Sequence, residues 1–221
     1  KTQINSTYKY LIIKMTFPNK NHTNLSDFLL GYSSEIKKGF ESIDLSQLEL
    51  IQKAMDTTIK NGHTIFSCGN GGSSAISDHF VCDFLKGTAT DTKIQPIIHS
   101  FTSNTPTLTA VANDISYDEI FSFQVEKYAN NQDLLICISS SGQSPNIIRA
   151  ISQAKEMGIK PISFVGFTGG KAKEMSDYCI HIDSSNYGIV EDVHQSLMHM
   201  LAQYIRLNNL DTSKSIEETV F

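Results

Sequence analysis

The sequence predicts an α/β protein with a mostly parallel sheet covered by helices on both faces, preceded by an αα-hairpin. Three observations carry this. Short runs rich in Ile, Val, Leu and Phe alternate with stretches of helical period, as expected of buried parallel strands joined by crossover helices. A glycine-rich turn, Ser67-Cys68-Gly69-Asn70-Gly71-Gly72-Ser73-Ser74, follows one apolar run and leads into a helical one. A second polar turn, Ser139-Ser140-Ser141-Gly142-Gln143-Ser144, follows the apolar run Leu134–Ile138 in the same way.

The elements follow in order. Asn24 or Ser26 caps a helix whose apolar positions are Phe28, Leu29, Tyr32, Ile36 and Phe40. Ser46, with Glu49 three residues on, has the form of a capping box opening a second helix with the stripe Leu48, Ile51, Met55 and Ile59. Asn61-Gly62 ends that helix. The hairpin is a packing element suited to subunit association. Strands are expected at 64–68, 95–99, 133–138, 161–165 and 178–182, and helices at 74–86, 105–112, 117–129, 144–157, 170–176 and 190–207. Pro145 suits a first helical position behind Ser144, and Gly158 stops that helix.

Size and charge narrow the function classes. The 221 residues suit one domain, read as residues 23–221 including the hairpin, with 1–22 set apart as an N-terminal arm and Met15 as a candidate natural start. Tyr8–Ile13 is too short an apolar stretch for a secretory signal. A net charge of −5 and the lack of a basic stripe argue against nucleic-acid binding. No apolar run reaches the roughly 18–20 residues of a membrane span. Cys68, Cys82, Cys137 and Cys179 form no CxxC pair and are read as small core residues of a cytoplasmic protein.

The two polar turns point to a phosphorylated small molecule. Glycines let the backbone approach an anion closely, and first-turn N–H groups face it. In open α/β sheets such turns lie beyond the carboxyl ends of the strands, where ligands bind, and Asn113-Asp114 closes another helix toward that side. The turn lacks the lysine of a nucleotide phosphate loop, the dinucleotide spacing fails, and no G-x-S-x-G elbow is present. Gly166–Gly170 is read as a strand-to-helix turn near the crevice.

Chemistry enters with His79 and Asp83, four apart on one helix face, and Glu191 and His199, eight apart on another. If these helices meet, two imidazoles and two carboxylates suit zinc or another transition metal, and equally a general acid/base pair. A surface or capping pair is the bland reading of HxxxD alone, and Asp192 reads as a solvated first-turn charge. The serine cluster has its own bland reading, a loop in which Ser144 caps the next helix.

Over residues 24–208 the chain resembles the sugar isomerase (SIS) domain family, and within it the phosphoheptose isomerase branch. The resemblance rests on Cys68–Ser73 with His79 and Asp83, Ala112-Asn113-Asp114, Ile138–Asn146, and Glu191–His199. It implies a flavodoxin-like three-layer sandwich with a five-stranded sheet, and a homotetramer with active sites between subunits. It further implies sugar contacts at Asn70, Gly71, Gly72, Asn113, Asp114 and Glu191, and a phosphate seat at Ser139, Ser140, Ser141 and Ser144. One divalent metal per subunit, zinc, falls by resemblance on His79, Asp83, Glu191 and His199, with Asp83, Glu191 and His199 as catalytic candidates. The implied reaction is aldose–ketose isomerisation of sedoheptulose 7-phosphate through an enediol, serving heptose supply to capsule or lipopolysaccharide. The alternatives are an isomerase of another sugar phosphate and a non-catalytic sugar-phosphate-binding regulator. The retained set at 79, 83, 191 and 199 disfavours the regulator. Three departures are visible: Asp83 stands where the family has glutamate, Glu191 where it has glutamine, and Gly188 where aspartate is usual.

Overall fold

The computed structural model describes residues 16–211. Two helices, α1 (Leu25–Glu41) and α2 (Leu45–Lys60), precede an all-parallel five-stranded sheet in the order β2-β1-β3-β4-β5. The strands are β1 (Thr64–Gly69), β2 (Ile97–Ser100), β3 (Leu134–Ser139), β4 (Lys160–Val165) and β5 (Tyr178–His181). β3 is buried at all six positions, as a central parallel strand covered on both faces must be.

Asn24 caps α1 by accepting the Asp27 N–H at 2.9 Å. The cap of α2 is Asp44, which accepts from the N–H groups of Ser46 and Gln47, so the expected Ser46 box is displaced by two residues. A carboxylate wins there because its charge adds to the hydrogen bonds at the positive end of the helix. The stretch expected as one helix over 74–86 is α3 (Gly72–Cys82), which passes into a π-helical turn at Asp83–Thr88. The stretch 117–129 is divided into a short 3₁₀ turn, Tyr117–Glu119, and α5 (Ser122–Tyr128), behind α4 (Thr105–Asp114). The remaining helices are α6 (Pro145–Glu156), α7 (Gly170–Met175) and α8 (Tyr187–Asn208).

Two hydrophobic cores flank the sheet. One joins α2, α3 and α8 through Ile51, Met55, Phe80, Val193 and Leu197; the other joins α5, α6 and α7 through Val125, Ile147, Ile151 and Ala172. Each fully buried Val, Ile, Leu, Met or Phe among them contributes about 1.5–3 kcal/mol. α3, leaving β1, and α6, leaving the adjacent β3, therefore lie on opposite faces. That divergence opens a crevice at the carboxyl ends of β1 and β3, the topological switch point.

Cys68 and Cys137 are buried register partners on β1 and β3, whereas Cys82 is exposed on α3, contrary to its reading as core. Part of the N-terminal arm is docked: Thr16 exchanges hydrogen bonds with Ser185, and Phe17 is buried with its carbonyl accepting from Asn186. Met15 and the residues before it lie outside the described region. No helix among the described residues is long and apolar enough to cross a membrane.

Candidate active site

Backbone geometry shapes both turns. Gly71 has φ +56°, a region side chains avoid, and a Cβ on Gly69 would lie 2.5 Å from the Ser73 carbonyl oxygen. Gly142 has φ +63°, and a Cβ there would lie 2.0 Å from the Gly169 carbonyl oxygen. The 166–170 turn thus packs directly against the serine turn, and Gly166 N–H also donates to the Ser140 carbonyl at 2.8 Å.

Within the serine turn the hydroxyls divide. Ser139 Oγ accepts from Gly142 N–H, and Ser141 Oγ from Gln143 N–H. Ser140 Oγ is buried with no hydrogen-bond partner. Ser144 is the N-cap residue of α6, but its side chain makes no capping bond, so the innocent role foreseen for it is not taken up. A buried hydroxyl left unpaired costs about 1–3 kcal/mol, and a ligand oxygen would relieve that cost.

The two turns meet through side chains. Asn70 and Asn146 exchange two amide hydrogen bonds, each 2.9 Å, and Tyr117 Oη donates to Asn70 Oδ1 at 3.0 Å. Asn113 and Asp114 are exposed at the end of α4, bonded to each other at 2.7 Å, three residues before that tyrosine. Neither Asn146 nor Tyr117 stood out in the sequence. An amide on the otherwise apolar buried side of α6 was the available signal for Asn146.

α3 and α8 pack side by side and run the same way, because Glu191 meets Gly72 near both helix starts and His199 meets His79 and Asp83 about two turns on. His79 Nε2 lies 3.3 Å from Asp83 Oδ1, and His199 Nδ1 lies 2.8 Å from Asp83 Oδ2. One ligand atom from each of the three falls within 4.8 Å of the others. Asp83 Oδ2 is buried and, despite its closeness to His199, in no hydrogen bond of acceptable angle. The Gln195 amide nitrogen lies 3.0 Å from His199 Nε2, so the two ring nitrogens of His199 face Gln195 and Asp83. Two imidazoles and a carboxylate, with an orphaned oxygen between them, fit a divalent transition metal.

Glu191 stands apart from that cluster. A Cβ on Gly72 would lie 2.1 Å from Glu191 Oε2, so the carboxylate rests on the glycine turn. It has no cation or hydrogen-bond donor among the described residues. Burial, and then the charge of Asp192, raise its pKa above the ordinary carboxylate value. Asp192 is exposed, as expected, yet accepts the Tyr32 hydroxyl at 2.6 Å. Burial first, then that hydrogen bond, push the phenol up to about 12. His194, between Glu191 and His199, is fully buried against Phe164 with Nε2 3.3 Å from the Val165 carbonyl oxygen, and burial holds it at about 4.

A switch-point crevice with glycine and serine turns and a His/Asp/His cluster defines the class, and comparison with known proteins agrees. The chain belongs to the SIS domain family, which it matches over residues 31–166. Its relatives place it in the phosphoheptose isomerase branch. It is 37% identical over 176 residues to the phosphoheptose isomerase of Aliarcobacter butzleri, covering 80% of this chain and 92% of that one. It is 36% identical over 184 residues to a probable phosphoheptose isomerase of Thermoplasma volcanium, covering 83% and 93%. The solved structure of a phosphoheptose isomerase from Francisella tularensis superposes with a TM-score of 0.76 at 28% identity, covering 84% of this chain and 100% of that one.

Proposed function

We propose that this protein is an aldose–ketose isomerase interconverting sedoheptulose 7-phosphate and D-glycero-D-manno-heptose 7-phosphate through an enediol, in supply of a heptose for a surface polysaccharide. The observation that carries the reading is the unpaired Ser140 hydroxyl in a serine turn joined across the switch point to the Asn70–Gly72 turn. One turn supplies a phosphate seat, and the other holds sugar oxygens.

Each residue then has a task. Ser139, Ser140, Ser141 and Ser144, with the first turn of α6, hold the phosphate. Asn70, Gly71, Gly72, Asn113 and Asp114 hold the sugar. Glu191, unpartnered on the glycine turn, takes the proton from C1 of the ketose. The C2 carbonyl oxygen gains a proton to give the cis-enediol; a proton is then delivered to C2 as O1–H is lost. A raised carboxyl pKa brings a base nearer the operating pH and suits it to return the proton. His79, Asp83 and His199 would hold one zinc ion, which supplies Lewis-acid polarisation of the sugar carbonyl. His199 is the alternative acid, but a histidine held on the metal would not donate a proton freely, and its Nδ1 lies 2.8 Å from Asp83 in the cluster. That favours a holding role for it.

Two coarser features complete the proposal. α1 leaves Leu25, Leu29 and Leu30 exposed, a surface for association into the homotetramer of the family resemblance. The free thiols accord with a cytoplasmic site of action.

Glu191→Gln tests the division of roles. Turnover of sedoheptulose 7-phosphate should fall about 100-fold or more while bound zinc, counted by atomic absorption, stays unchanged. Full activity in this variant would return the base to Asp83.

A further inference from the structure

Asn70 is one half of an amide pair whose orientation is set from outside. Ile147 N–H, in the first turn of α6, donates to Asn146 Oδ1 at 3.0 Å, which identifies that atom as the oxygen. Asn146 Nδ2 must then face Asn70, and it donates to Asn70 Oδ1 at 2.9 Å. Asn70 Nδ2 returns a bond of 2.9 Å to Asn146 Oδ1. The Tyr117 hydroxyl adds a second donor to Asn70 Oδ1 at 3.0 Å.

The hydrogen-bond capacity of Asn70 is therefore nearly spent, and in one direction. Both lone pairs of Oδ1 have donors, and one N–H has its acceptor. No protein acceptor among the described residues takes the other N–H. A backbone group of α6 thus fixes Asn146, and Asn146 fixes Asn70, because the flipped amide would set its N–H groups against Asn146 Nδ2; the Tyr117 hydroxyl fills the second lone pair of Asn70 Oδ1.

We propose that Asn146 and Tyr117 are positioning residues that cross-link the two ligand turns and hold Asn70 as a hydrogen-bond donor toward an oxygen of the sugar. This deepens the proposed function and rests on it for the ligand. A fixed N–H selects a hydroxyl, carbonyl or enediol oxygen, and the carbonyl end gains most as negative charge builds on it. The clamp also ties the start of α6, which carries the phosphate seat, to the glycine turn under Glu191. It thereby sets the span between the phosphate and the reacting carbons. Asn146 is buried and Tyr117 exposed, so the clamp has one member inside the fold and one that can be altered from outside.

Calorimetry with two ligands tests this. Sedoheptulose 7-phosphate needs both turns, whereas inorganic phosphate needs only the serine turn. Tyr117→Phe keeps the ring and removes the one hydroxyl bond. Its affinity for the sugar phosphate should fall about fivefold, with that for inorganic phosphate within about twofold of wild type. Asn146→Ala should cost about tenfold or more in the same selective way. If Asn146→Ala does not fold, Tyr117→Phe decides. Unchanged affinity for both ligands in Tyr117→Phe, or an equal loss of both, would overturn the clamp. A wild type that binds neither ligand would instead overturn the proposed function, and the clamp with it.

Discussion

The serine turn after β3 and the cluster between α3 and α8 are both polar sites in one crevice system, but they are built differently. The turn is made by backbone: Gly142 and Gly170 take positive φ, two loops touch where a Cβ on either would collide with the other, and the hydroxyls line what the chain path has already shaped. The cluster is made by side chains: His79 and Asp83 meet at 3.3 Å one turn apart, but His199, far away in sequence, comes within 2.8 Å of Asp83 only because α3 and α8 share a buried apolar seam. A backbone-built site should tolerate loss of one side chain and fail when the chain path is disturbed. A side-chain-built site should do the reverse.

The largest expected effect lies in the cluster. His199→Ala should reduce turnover of sedoheptulose 7-phosphate about 1,000-fold or more, with the fold and inorganic-phosphate affinity retained, as checked by steady-state kinetics and calorimetry. A variant with wild-type turnover would remove the cluster from the reaction. Gly142→Ala should act through the backbone. Its Cβ would meet the Gly169 carbonyl oxygen in a left-handed conformation, and urea unfolding should show a loss of about 2–4 kcal/mol together with weaker phosphate binding. An unchanged unfolding midpoint would mean that the two loops can part freely.

A third outcome concerns acid stability of the helix seam. His194 is held neutral at about 4 by burial, against an ordinary 6.5, so below pH 6.5 the unfolded chain takes up a proton that the folded one refuses. Stability should be constant from this source above pH 6.5 and fall as pH drops toward 4, by at most about 3 kcal/mol. His194→Gln should flatten that slope in a pH series of urea titrations, and an unaltered slope would place the acid sensitivity elsewhere. The smallest effect belongs to the serine turn. Ser140→Ala should weaken inorganic phosphate about tenfold or less and leave the fold intact, since the other hydroxyls and the helix start remain. Undiminished affinity would move the phosphate seat away from that hydroxyl.

The same contrast explains what could be read from the sequence. Both turns were visible because backbone-built sites need glycine and serine at consecutive positions, and apolar strand runs announce them. His79, Asp83 and His199 were visible as helical spacings, but spacing cannot say which residues on a shared face meet. Glu191 shares a face with His199, yet it stands about 12 Å of helix away and rests on Gly72 instead. The Asn70–Asn146–Tyr117 contacts join residues up to 76 positions apart through single polar atoms, which leave no period in the sequence. The cap of α2 went to Asp44 over Ser46 because neighbouring cap formers compete by fractions of a kcal/mol. The π turn at Asp83 likewise has no residue signature. It depends on the packing of that segment against α8.

Everything above turns on whether the crevice carries a ketose phosphate through an enediol. Proton NMR of the purified protein with sedoheptulose 7-phosphate in deuterated water, with and without added zinc, tests it most directly. The aldose 7-phosphate should appear, with solvent deuterium entering at C2 through the enediol. No aldose and no deuterium exchange under either condition would contradict it.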